Sequence, residues 1–408
     1  MKTYLCGLAA LSLCGIASAA TWTVDDDLVD LPGADFQDIQ AAVDAASNGD
    51  QIQIYPGTYL GTGDQVVDLS GKDLHLLGMG QNHQIIIDGE NARRGLASTG
   101  NSSNSNQIEN LTITHGQAPS NNPRGGGVFV QLNRMALIDC RLIYCHSPHY
   151  GAAISCMQGD LTLDGCTLSD NVALDSLPPM GGGGGVHVAS GILLVNDCTF
   201  SRNISQDSGA AVFSVSSDIT ITNSSFSHNS ATGWGAVRCT LGSSDLDQCT
   251  FTGNYAGSGA GYSCMGPGHS VSNSTFEYNL ANNYGGGIAT SHSTELAILD
   301  CVIENNTAGF IAGGVYLHTT QHTIDNCTIR DNRAEDSGGG IYTESSVPLG
   351  NTLVCGNLPD QLVGPSTLDS SSSVSDDCEA SCEGDFDENG QVDINDLLTF
   401  LGNYGPCP

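Results

Sequence analysis

Positive charge is scarce in this chain. Eleven lysine and arginine residues stand against 44 aspartate and glutamate in 408 residues, a net charge of −33. Lysine occurs only at Lys2 and Lys72. Such a surface repels nucleic acid, anionic membranes and acidic polysaccharides, and suits solubility and cation binding. Long apolar runs are scarce too. After the N-terminus no stretch approaches the roughly 20 residues that a membrane span needs.

The one long apolar run, "YLCGLAALSLCGIA", follows Lys2 and leads to Ala17-Ser18-Ala19, a small-residue cleavage pattern. Residues 1–19 therefore read as a signal peptide. The rival reading, a lipoprotein signal, founders on Leu13, which is too large for the position before Cys14. Cleavage would remove Lys2 and leave 10 basic against 44 acidic residues, a charge of −34. It would also remove two of the 16 cysteines. Export permits disulfides, but the remaining cysteine spacing follows a repeat, so connectivity is not readable.

What the chain has in quantity is self-similarity. The segments "LIDCRLIYC", "LDGCTLSDN", "VNDCTFSRN", "ITNSSFSHN", "LDQCTFTGN", "VSNSTFEYN", "ILDCVIENN" and "IDNCTIRDN" align at steps of 26, 32, 26, 25, 25, 27 and 26 residues. A glycine-rich start such as "GGGVHV" or "GAAVFS" precedes each. A period near 25 with three short β-prone patches predicts a parallel β-helix, in which stacking supplies the core that no coil has alone. In the coil 184–208 the first strand is Val186-His187-Val188, the second Ile192 to Val195, and the third Cys198-Thr199-Phe200, with Cys198 and Phe200 inward. Between the second and third strands stand Asp139, Gly165, Asp197, Asn223, Gln248, Asn273, Asp300 and Asn326, a column suited to left-handed turns. A later column, Asn171, Asn203, Asn229, Asn254, Asn279, Asn306, Asn332 and Asn357, reads as a stacked amide ladder. The 32-residue step is explained by the insert "LDSLPPMGGG", a long edge loop where a site could be built. About 10–12 coils are expected. Residues 35–46 should form an N-terminal capping helix, with Asp35 as N-cap and Phe36, Ile39 and Val43 on one face.

The outward residues of the first strands are Phe129, Ser155, His187, Phe213, Arg238, Ser263, Ala289, Tyr316 and Tyr342. Charges there are few. Glycosidases need paired carboxylates, and proton abstraction needs a base beside a group that neutralises the substrate's acid. The nearest catalytic candidates are His187, Arg238, His318 and Glu344, spread over several coils. Phe129, Phe213, Tyr316 and Tyr342 form a candidate binding strip for sugar rings, flanked by glycine and alanine. Two functions follow: a non-catalytic rod for adhesion or glycan contact, or a carbohydrate-active enzyme. A polysaccharide or surface glycan is the expected partner of either.

The start "FQDIQAAVDAASNGDQIQIYPGTY" resembles that of pectin-lyase-like right-handed β-helix proteins, and the G-G-G-[IV] and F-x-x-N pairs resemble repeats of chlamydial polymorphic outer-membrane proteins. The resemblance spans roughly residues 35–357. It implies an all-β right-handed parallel β-helix, and its enzyme members imply a polysaccharide lyase, glycoside hydrolase or epimerase as the alternative to adhesion. The chain departs from the outer-membrane family in lacking a C-terminal barrel segment.

The chain ends differently. "DFDENGQVDIND" places Asp385, Asp387, Asn389, the Gln391 carbonyl, Asp393 and Asp396 at positions 1, 3, 5, 7, 9 and 12 of a calcium loop, with Gly390 at the sharp turn. Leu397, Leu398 and Leu401 continue it as an amphipathic helix. The loop with Asp at position 12 and Leu-Leu after it resembles the dockerin calcium repeat, which implies attachment to a cohesin-like or cell-envelope partner. Dockerins carry two repeats and this chain has one. Cys382 and Cys407 flank the unit as a candidate disulfide. The expected organisation is a signal peptide at 1–19, a β-helix with its cap at 20–366, a Ser/Asp-rich linker at 367–381 and a dockerin-like, EF-hand-like calcium module at 382–408. The whole reads as a secreted or cell-surface protein.

Overall fold

The computed structural model describes residues 19–100, 105–174, 181–292, 295–318 and 321–378. The chain winds into a parallel β-solenoid of about twelve turns. Its strands stack into four sheets. The first-strand sheet has 12 strands, the second 14, the third 13 and a fourth 8. At about 4.8 Å per coil the stack is roughly 55 Å long. Every strand pair is parallel, as in Val186↔Val212 and Phe200↔Phe226 of neighbouring coils. The long step keeps register, since Ile154 pairs with Val186. The central residues of the insert, 175–180, lie outside the described residues.

Three expected strands per coil become four. The fourth is mostly two residues long, such as Ile204–Ser205, directly after the amide column. Two residues cannot display a period-2 pattern, so no hydrophobic alternation marks it.

The turns explain how coils so short can close. All eight residues of the bend column have positive φ, from 47° at Asn273 to 63° at Gly165. Inside the rod, alternation buries Val186, Val188, Leu193, Val195, Cys198 and Phe200. Phe200, Phe226, Phe251 and Phe276 stack with centroids 4.9, 4.7 and 4.5 Å apart. Each fully buried ring contributes about 1.5–3 kcal/mol of apolar transfer. The inward cysteines Cys140, Cys166, Cys198, Cys249, Cys301 and Cys327 are buried free thiols. Desolvation pushes Cys249 up to about 11, which keeps it neutral.

The asparagine column is a continuous hydrogen-bonded ladder. Asn254 Nδ2 donates to Asn279 Oδ1 at 2.9 Å and to the Phe226 carbonyl of the coil before at 2.9 Å. Asn254 Oδ1 accepts the N–H and the Nδ2 of Asn229, both at 3.0 Å. Each amide thus ties three coils together. The ladder ends at Gln361, whose Oε1 accepts from Asn357 at 2.9 Å.

At the N-terminal end a seven-residue helix, Ile39–Ala45, buries Ile39, Ala42 and Val43. Its N-cap is Asp38, whose carboxylate accepts from Ala41 N–H at 2.8 Å. Asp35, the expected cap, instead accepts the Thr23 N–H and hydroxyl, and Phe36 bridges to Val24. The helix starts later because the chain is first used as an extended edge.

The C-terminal boundary also moves. Ser366–Leu368, across the expected boundary, and Ser373–Ser375, inside the expected linker, pair with Val347–Gly350 and Leu353–Cys355, and a disulfide joins Cys355 to Cys378. The solenoid therefore runs to residue 378. Its Ser/Asp composition reflects short, exposed strands rather than a free tether. Residues 1–18 of the expected signal peptide, and the whole unit 382–408 with Cys382, Cys407 and the calcium ligands Asp385, Asp387, Asn389, Gln391, Asp393 and Asp396, lie outside the described residues.

Candidate functional site

The outward column of the first sheet has the register read from the sequence: Phe129↔Ser155, Ser155↔His187, His187↔Phe213, Phe213↔Arg238, Arg238↔Ser263, Ser263↔Ala289, Ala289↔Tyr316 and Tyr316↔Tyr342. Its exposure differs from expectation. Phe129, His187 and Phe213 are 2%, 3% and 2% exposed, Arg238 is 6% and Tyr316 8%. Only Tyr342 among the four strip aromatics is half-buried.

A neighbouring column covers this face. Arg124, Tyr150, Gly182 and Ser208 bridge from coil to coil, as do Trp234 and Ser258, and further on Tyr284, Ile311 and Ser337. Each immediately precedes the residue that opens the first-strand turn. That residue is usually a glycine with positive φ, such as Gly151 at 58°, where a Cβ would meet the Ile154 carbonyl at 2.0 Å. The sharp turn lays the preceding side chain against the outward residues of the strand. Tyr150 packs on His187 at 4.6 Å, Tyr284 on Tyr316 at 5.2 Å, and Arg238 lies over Trp234 at 4.7 Å. The sequence carries this signal as an aromatic before glycine in "HYGAA", "GWGAV" and "NYGGG".

The four catalytic candidates separate. His187 lies between Tyr150 and Phe213, and burial, with the Arg124 charge second, lowers it to about 3. It is neutral and built into the wall, not solvated. Arg238 lines a cleft of about 270 Å³ with Asp207, Phe213, Trp234, Met265 and His292. Its Nη2 donates to Ser291 Oγ at 3.0 Å, while its buried Nη1 has no protein partner. His318 and Glu344 do meet: His318 Nε2 is 3.7 Å from Glu344 Oε2, and Tyr316 Oη donates to Glu344 Oε1 at 2.8 Å. Burial first, and that carboxylate second, raise the Tyr316 phenol above its ordinary value, so it stays protonated.

The strip aromatics separate as well. Phe129 sits beneath Arg94 at 4.9 Å, and Phe213 forms part of the Arg238 cleft. Tyr316 and Tyr342 stack at 5.8 Å and, with Tyr284, make a three-ring column. His292, at the cleft, stacks on His318 at 6.2 Å. Cleft and tyrosine column are thus one continuous patch, from Trp234 and Arg238 through His292 and His318 to Tyr342. Trp234, Tyr284 and His292 were not among the residues singled out from the sequence.

This geometry defines a parallel β-solenoid with a lined groove along one sheet. A family model described as the right-handed β-helix region matches residues 94–276 and 195–358, more than half of the chain. The protein belongs to that family. Comparison with curated proteins finds no match. Among solved structures, the A-module of a mannuronan C-5 epimerase from Azotobacter vinelandii is similar with TM-score 0.49 and 15% identity, covering 83% of this chain and 94% of that one. A tailspike protein of bacteriophage CBA120 has TM-score 0.47 and 13% identity, covering 86% of this chain and 61% of that one. The surface adhesin PfbA of Streptococcus pneumoniae has TM-score 0.36 and 10% identity, covering 83% and 87%. Likenesses this distant leave function to the site itself. No helix among the described residues is long and apolar enough to cross a membrane.

Proposed function

We propose that this protein is an exported, non-catalytic rod that holds a polysaccharide along the outer face of its first sheet, and that its C-terminal calcium loop attaches it to a cohesin-like or envelope partner. The observation that carries the reading is the Arg238 cleft. A half-exposed tryptophan forms one wall, and a buried guanidinium keeps a donor with no protein partner. A cleft of about 270 Å³ is smaller than the roughly 300–1,000 Å³ of pockets that enclose a drug-sized ligand. It suits one sugar of a chain lying along the rod, with the ring on Trp234 and an oxygen on Arg238. The Tyr284–Tyr316–Tyr342 column continues the stacking surface.

Hydrolysis is disfavoured by distance. Asp207 in the cleft and Glu344 beside Tyr316 stand five coils apart in register, about 24 Å, against the roughly 5–9.5 Å of glycosidase carboxylate pairs. One observation favours the enzymatic alternative. Glu344 is shared by Tyr316 and His318 on the accessible part of the patch, an arrangement able to hold and move a proton.

The test incubates the chain 20–408 with neutral and uronate-bearing polysaccharides and follows co-elution and polymer length by size-exclusion chromatography. Co-elution with intact polymer, lost in Trp234→Ala and Arg238→Met, is the expected result. Shortening of any polymer, abolished by Glu344→Gln, would replace the binding reading with the enzymatic one.

A further inference from the structure

A second candidate site lies at the N-terminal end of the solenoid, in the segment Asp25-Asp26-Asp27-Leu28-Val29-Asp30. The strand Thr21–Val24 pairs with Gln51–Ile54 and then enters this loop. One carboxylate oxygen from each of Asp25, Asp27 and Asp30 lies within 4.8 Å of the others. Proximity of acidic groups is common, and the exposure of Asp27 and Asp30 leaves them open to solvent. Asp25 is different: it is fully buried. Its Oδ2 accepts the Leu31 N–H at 2.6 Å, and its Oδ1 has no hydrogen-bond partner. A buried carboxylate oxygen without a donor is costly unless a cation faces it.

Among the described residues no ion pair is made by Asp25, Asp27 or Asp30. Lys72 gives its ammonium to the carbonyls of Val43, Asp44 and Ala46. Asp26 is turned to a structural task, accepting the Thr58 N–H at 3.0 Å. Asp27 uses Oδ1 for the Val29 N–H at 2.9 Å and keeps its second oxygen.

We infer that Asp25, Asp27 and Asp30 bind a divalent cation, and that the cation is calcium. The donor set is all oxygen, which suits a hard ion. Calcium accepts six to eight oxygens in flexible geometry and so suits carboxylates presented by an irregular loop, whereas magnesium demands a near-ideal octahedron and keeps most of its waters. Bound there, the ion ties the loop to the first coil. Tyr59 backs the loop from inside, donating to the carbonyls of Tyr55 at 2.7 Å and Val24 at 3.3 Å. The site would lock the N-terminal edge of the solenoid only where calcium is plentiful.

The test uses the full chain 20–408, in which the loop at 385–396 is a second calcium site by its sequence. Three forms are compared: the unaltered chain, Asp27→Asn with Asp30→Asn, and Asp385→Asn with Asp387→Asn. Asp27 and Asp30 are exposed, so their replacement leaves folding intact where Asp25→Asn would not. Calorimetric titration with Ca²⁺ should show the 27/30 variant weakened at least tenfold at one site. Calcium should raise the Tm of the unaltered chain and of the 385/387 variant, but not of the 27/30 variant. Terbium luminescence excited through tryptophan should follow the same pattern, since Trp22 lies in the strand leading to the loop. A Tm response that survives in the 27/30 variant, or that vanishes only in the 385/387 variant, overturns the site. An equal response to Mg²⁺ at the same concentration overturns its assignment to calcium.

Discussion

Two stacked columns run along this rod at one spacing, and they manage polar groups in opposite ways. In the asparagine ladder every amide from Asn171 to Asn357 has its donors and acceptor engaged, and all are 0–1% exposed. On the outer face of the first sheet, five buried atoms lack a partner among the described residues: Arg124 Nε, Ser155 Oγ, His187 Nδ1, Arg238 Nη1 and Ser263 Oγ. Stacking by itself does not produce satisfied polar groups. It does so where one residue type repeats, because identical amides on identical backbones bond one another. Where the residue type changes with each coil, buried polar atoms are left without partners, and those are the atoms a ligand can use.

Two substitutions test the satisfied side of that contrast. Asn254→Ala removes four hydrogen bonds at once and strands the buried Asn229 N–H, so a loss of about 3–5 kcal/mol is expected in chemical denaturation. A loss under about 1 kcal/mol would mean that the ladder is ornamental. Arg94 belongs to the outer face yet behaves like the ladder: it donates to the carbonyls of Gly125 at 2.7 Å, Arg124 at 2.8 Å and Asn122 at 3.1 Å. Arg94→Met takes this donor from the Gly125 and Arg124 carbonyls, while the Asn122 carbonyl keeps the Arg124 N–H at 2.8 Å, and about 2–3 kcal/mol should go. An unchanged midpoint would show that water replaces the guanidinium.

The ladder, the bend column and the outward register were legible because they are periodic. Eight residues each occupy one position of a 25–27-residue repeat, interrupted once by an insert that leaves pairing intact. The cover over the first sheet was not legible. Its positions keep the repeat, but the residue changes from Tyr150 to Gly182, Ser208, Trp234, Ser258 and Tyr284, so no residue type marks the column. Period-2 alternation assigns His187 to the outside correctly and cannot say that outside is buried. The linker failed for a related reason: serine and aspartate describe a polar strand at a rod's end as well as they describe a tether.

His187 turns that burial into a pH response. Its folded-state value of about 3 lies below the ordinary 6.5, so the unfolded chain takes up a proton that the folded chain refuses. Its neutral form carries no penalty above pH 6.5. Stability is lost as pH falls from there towards 3, by about 2 kcal/mol at pH 5 from this residue. His269, lowered to about 4 mainly by burial, adds to the same limb. His187→Phe should flatten the fall between pH 6.5 and 4 while leaving the midpoint at pH 7.5 nearly unchanged. An identical acid limb in the variant would place His187 in contact with water.

Arg238 gives the smallest expected change in stability and the sharpest contrast. Like Arg94 it is buried on the same face against an aromatic ring, at 4.7 Å from Trp234 where Arg94 lies 4.9 Å from Phe129. Unlike Arg94 it makes, among the described residues, a single hydrogen bond, to Ser291, and leaves Nη1 without a partner. Burial lowers its pKa, and no carboxylate forms an ion pair with it among the described residues. Removing a charge that the fold does not repay costs little. Arg238→Met should therefore shift the denaturation midpoint by less than about 1 kcal/mol, in either direction, where Arg94→Met loses two to three times that. Polysaccharide retention should fall at least tenfold in Arg238→Met and stay near normal in a conservative change elsewhere on the rod, such as Thr199→Ser. If Arg238→Met proves as destabilising as Arg94→Met and retention is unaffected, the guanidinium is structural after all, and the unpartnered atom is filled by solvent.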